Sequence, residues 1–221
     1  MNAPPAVAGL ARALADWIAS FDGPPPLLEA MAAACDGGAP WVGAIAATAA
    51  RRTGWPETEA LAWGLCMGGS AGALEALRES LESESRGSPA ADGPALPLLA
   101  SDGLVAAAHE ALAALEPTRL EVAFAALEAT FGDGGPWRTV AGQAPWTALV
   151  PCALGPAAAE QPTGPWPAYA AAWTEAVDSG WYCDPALWQQ PATAIATRTL
   201  FRAAAHVAAT PSRPEATHAR A

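Results

Sequence analysis

Apolar residues recur along the first part of the chain at helical spacing. Leu10, Leu14, Trp17 and Phe21 step by four, three and four, an amphipathic stripe closed by Asp22-Gly23. Pro24-Pro25-Pro26 suits the first turn of a second helix, where a missing N–H costs nothing, and that helix carries Leu27, Leu28 and Met31 to Cys35. Asp36-Gly37-Gly38 stops it, and Pro40 leads into a third helix over 41–52. Pro56 opens a fourth, with Leu61, Trp63 and Leu65, which the pattern ends at Gly68-Gly69. Ser70 then reads as the N-cap of a fifth, with Leu74, Leu77 and Leu81 on one face and Glu75, Arg78, Glu79, Glu82 and Glu84 on the other.

Residues 85–97 (SRGSPAADGPALP) offer little to bury and read as a linker. Beyond them Ser101-Asp102 is expected to cap a helix holding Leu104, Val105, Leu112 and Leu115. Pro117 starts the next, with Leu120, Phe124, Leu127 and Phe131 again at four, three and four. From 136 to 191 Trp and Pro dominate, which predicts short helices and turns, with one longer helix over 167–177. A last helix over 193–208 carries Ile195, Leu200, Phe201, Ala204 and Val207. No window alternates with period two. The expected fold is therefore all-α, an irregular bundle of about 8–10 short helices in two lobes. The lobes span 1–84 and 98–209, joined by the 85–97 linker, with a disordered tail at 210–221. Residues 34–41 (ACDGGAPW) echo 131–137 (FGDGGPW), either as two copies of one unit or because Gly stops helices and Pro starts them.

Composition narrows the chemistry. The 221 residues include 60 Ala, 22 Pro, 20 Gly and no Lys, so 10 Trp must fill much of an otherwise thin core. Without Lys there is no P-loop lysine, pyridoxal Schiff base or Ser-Lys dyad. A net charge of −11 with no basic run argues against nucleic acid and anionic membrane as partners. Met1-Asn2-Ala3-Pro4-Pro5 lacks the basic start of a secretory signal, and the uncharged run 139–159 is broken by Pro145, Pro151 and Pro156. Cys35, Cys66, Cys152 and Cys183 stand far apart with no CxxC pair, as reduced buried thiols do. A cytoplasmic location is expected.

Gly68-Gly69-Ser70-Ala71-Gly72 matches the G-x-S-x-G pattern, in which flanking glycines clear space for a nucleophilic serine on a strand-to-helix turn. The surrounding GLCMGGSAGALEALRESL, about 18 of 221 residues, resembles the serine loop of chemotaxis-type protein-glutamate methylesterases. That resemblance implies a Ser70 nucleophile, a histidine soon after the helix and a Gly-rich aspartate segment on a parallel sheet. The chain instead continues into SESRGSPAADG, and neither downstream feature appears. A triad in the order Ser70, Asp184, His206 is the hydrolase alternative, while Ser70 as a plain helix cap is the simpler reading. His109, His206 and His218 form no HExxH or Glu-x-x-His pattern, so no metal site is expected. GxGxxG and paired DDxxD acids are missing too, and no cofactor is expected.

Trp166, Tyr169, Trp173, Trp181 and Trp188 are a dense set of large, rigid contact residues. They read either as filling between alanine-rich helices or as a surface for another protein or a second copy of this chain. The leading expectation is a non-catalytic accessory protein or small subunit docking through that aromatic surface. The alternatives are a serine hydrolase using Ser70 and a small-molecule-binding helical domain with indoles lining a pocket.

Overall fold

In the computed structural model the described residues are 5–86, 95–131 and 149–164. They form seven helices and no strand, so the all-α class holds: α1 (Pro5–Ala19), α2 (Pro25–Ala34), α3 (Ala39–Arg52), α4 (Glu57–Arg86), α5 (Ala95–Leu112), α6 (Pro117–Phe131) and α7 (Leu149–Glu160). The expected helices over 167–177 and 193–208, the second DGG-Pro-Trp junction and the 210–221 tail lie outside the described residues.

The first three helices follow the pattern that predicts them. Leu10, Leu14 and Ile18 bury one stripe of α1, and prolines occupy the first turns of α2 and α3. At the end of α3 the Trp55 N–H donates to the Ala50 carbonyl and the Gly54 N–H to that of Arg51. This paired closure needs a left-handed residue after the cap, and Gly54 supplies it with φ +96°.

Two boundaries differ from the sequence reading. The fourth and fifth predicted helices are one 30-residue helix, α4, which runs unbroken through Gly68, Gly69 and Ser70. Ser70 therefore caps nothing. The glycines serve contact, not punctuation: a Cβ on Gly69 would sit 3.2 Å from the Trp17 ring, and one on Gly72 2.5 Å from the Cys35 sulfur. Likewise α5 is helical from Ala95, so Ser101-Asp102 lies inside it instead of at its cap. Pro97 falls in the first turn, where its missing N–H breaks no helical bond.

The long helix α4 is the axis of the molecule, packed by α1, α2, α3, α5 and α7. Against α3 the approach is backbone to backbone. A Cβ on Gly43 would lie 2.5 Å from the Gly64 carbonyl oxygen, and one on Gly64 2.9 Å from that of Gly43. Ala39, Gly43 and Ala47 on α3 thus run beside Ala60, Gly64 and Gly68 on α4, small residues at i, i+4 spacing that let the helices touch closely. Trp63, fully buried, fills the space toward α7 and donates its indole N–H to the Ala153 carbonyl at 3.1 Å. Helices from both sides of residues 85–97 contribute to one buried cluster. By length and apolar composition α4 is the one described helix that matches a membrane span, and two-thirds of its apolar window is buried against neighbouring helices.

A cleft between α4, α5 and α6

The helix α5 lies antiparallel to α4, with Ala108 beside Gly69 and Leu104 beside Gly72. The next helix, α6, takes a different support. It packs along α7, where a Cβ on Gly155 would meet that of Ala126 at 2.7 Å. Its N-terminal end is tied to the start of α4: Arg119 pairs with Glu59 at 2.9 Å, and the same carboxylate accepts from the Glu116 backbone N–H at 3.1 Å. The Arg119 guanidinium also lies over the Trp55 ring, 5.8 Å from its centroid, and the Trp55 indole N–H donates to Glu160 at the end of α7.

Held this way, α6 stands off from α4 and α5, and a cleft of about 480 Å³ opens between the three helices. Its walls are mainly hydrocarbon. From α4 come Leu74, Leu77 and Ala73, from α5 Leu112, Val105 and Ala108, and from α6 Phe124, Leu127 and Phe131. Val105 and Phe124 remain 43% and 47% exposed at its margins, which is where the cleft meets solvent. The apolar face predicted for 70–84 is only partly buried: Leu74 and Leu77 line the cleft, and Leu81 is 58% exposed.

The polar groups in the cleft are few. Cys66 lies at one end, and burial pushes its thiol up to about 12, reinforced by neighbouring Cys152 and opposed by a hydrogen bond from Ser70. His109 and Glu128 are exposed lining residues. The His109 Nδ1 lies 2.7 Å from the Val105 carbonyl oxygen; a carbonyl only accepts, so Nδ1 carries a proton and donates to it. Ser101 is buried to 7% exposure and its hydroxyl has no hydrogen-bond partner among the described residues.

Of the proposed catalytic and partner-binding residues, Ser70 alone is among the described residues, and it lines this cleft. It lies within α4, where neither a strand-to-helix turn nor an oxyanion hole forms, because helix-interior N–H groups are already committed to the preceding turn. No hydrogen bond joins Ser70 to His109 or Glu128. The turn geometry implied by the methylesterase resemblance is thus absent. Asp184 and His206, and the aromatic set Trp166, Tyr169, Trp173, Trp181 and Trp188, lie outside the described residues. Among the described residues no group of three His, Cys, Asp or Glu side chains converges as a metal site.

Sequence reasoning missed the cleft because its walls are ordinary core leucines and phenylalanines. The signal was a stripe on α4 that one neighbour cannot cover, together with Phe124, Leu127 and Phe131 on α6. No protein-family model matches this chain, and neither does any curated protein.

Proposed function

We propose that this protein is a binding protein for a slender apolar small molecule, held in the α4–α5–α6 cleft. The observation that carries the reading is the cleft itself: about 480 Å³, walled by hydrocarbon and containing few polar groups. That size falls within the range of small-molecule sites, roughly 300–1,000 Å³, and the lining has their usual character. The cleft runs from Cys66 to Leu77 along α4, eleven residues and about 16 Å at 1.5 Å per residue. Spread over that length, the space leaves a cleft about 8 Å across, against roughly 10–12 Å for a helix with its side chains. A hydrocarbon chain fits that section better than a partner helix does. Catalysis has weaker support, since among the described residues Ser70 has no base hydrogen-bonded to it and no oxyanion site beside it.

The test is a titration of the full chain with dodecan-1-ol, followed by calorimetry and thermal melting. Saturable 1:1 binding is expected, raising stability by about 2.7 kcal/mol at a hundredfold excess over Kd. Leu74→Trp, which fills the cleft with an indole, is expected to abolish binding while keeping the melting transition. Absence of binding by the folded wild-type chain overturns the proposal.

A docking role on another protein is a second reading. It draws on Leu81, Leu98 and Leu99, which are 58%, 44% and 55% exposed near the α4–α5 end of the molecule. It predicts a stoichiometric complex in native mass spectrometry that Leu99→Arg dissociates. A complex unaffected by that substitution counts against this surface.

A further inference from the structure

Resting on the reading of the cleft as a ligand site, we infer that its ligand is an uncharged single-chain amphiphile whose hydroxyl group is held at Ser101. An extended hydrocarbon chain advances about 1.25 Å per carbon for C–C bonds near 1.5 Å, so the 16 Å cleft takes a chain of about a dozen carbons. The head group is selected by what the lining lacks as much as by what it holds. Among the described residues no arginine lines the cleft, and its His109 and Glu128 side chains are both exposed. A fatty-acid carboxylate would therefore enter apolar surroundings with no buried cation beside it, since His109 is exposed, where an ion pair adds little.

Ser101 supplies the positive requirement. Its hydroxyl is buried, lines the cleft and has no partner among the described residues, and a buried polar group without a partner is costly. A hydroxyl both donates and accepts, so an alcohol can return either half of the bond. An ammonium head only donates, and its Coulombic partner, Glu128, is exposed, where an ion pair adds little. The expected order is thus alcohol, then amine, then carboxylate.

Dodecan-1-ol, dodecylamine and dodecanoate, each below its aggregation threshold, are titrated against the full chain and against Ser101→Ala. The wild-type chain is expected to bind the alcohol tightest and the carboxylate at least tenfold more weakly. Ser101→Ala is expected to lower alcohol affinity by about 3- to 10-fold, the usual worth of one hydrogen bond, and amine affinity by less, because an ammonium returns only one half of the bond. Amine or carboxylate binding as tight as the alcohol, or an alcohol affinity unmoved by Ser101→Ala, overturns the inference while the cleft reading stands. If none of the three binds, the cleft reading itself falls, as it would were the cleft occupied by another part of this chain or by a second copy.

Discussion

Cys35, Cys66 and Cys152 illustrate how a single residue type reports on the interior. All three are buried, and burial raises each thiol from an ordinary value of 9.0 to about 12. Next to Cys35, Asp36 adds to the shift; at Cys152 a hydrogen bond from Thr130 opposes it. Below pH 9 the folded and unfolded chains hold these protons alike. Between pH 9 and 12 the unfolded chain releases them and the folded chain does not, so stability falls as pH rises, by about 1.4 kcal/mol per pH unit for each thiol. Urea unfolding from pH 8 to 11 is expected to show that decline, and Cys152→Ala to make it shallower by one thiol's share. A stability flat over that range would show that these thiols ionise in the folded state. The reduced, buried state of these three was legible in their spacing; Cys183 lies outside the described residues.

At the scale of elements, the crossing of α3 and α4 decides how the helices sit. Gly43 is there because nothing larger fits: its Cβ would fall 2.1 Å from Leu10 Cδ2 as well as against the Gly64 carbonyl. Leu10 can swing away, but the backbone of α4 cannot. Gly43→Ala is therefore expected to destabilise the protein by about 1–3 kcal/mol despite alanine's better helix propensity. Gly9, in α1, has nothing within 4 Å of its Cβ position, and Gly9→Ala is expected to stabilise by about 0.5–1 kcal/mol. Thermal melts of the two variants check this, and equal shifts of the same sign would contradict the close crossing. The same physics explains where the sequence pattern misled. A glycine that ends a helix and a glycine that admits a neighbouring helix look alike in one dimension, so Gly68-Gly69-Ser70 reads as a boundary when it is the middle of α4. Pro24 to Pro26, Pro40 and Pro117 were readable, because their effect is local to their own turn.

For the molecule as a whole, the helical class was legible in the three- and four-residue steps, while the arrangement that makes the cleft was not. The cleft depends on Arg119 meeting Glu59 across sixty positions and on Gly155 meeting Ala126, and no spacing within a helix encodes either. The Ser70 motif drew attention to the helix that walls the cleft, where Ser70 is a helix-interior hydroxyl next to Cys66. The most direct test of the cleft as a ligand site is a methyl-resolved NMR titration of the full chain with dodecan-1-ol. Saturating shifts are expected at the methyls of Leu74, Leu77, Val105, Leu112 and Leu127, with Val42 and Leu149, buried elsewhere in the core, unmoved. Shifts spread over surface methyls, or none at the cleft, would contradict it.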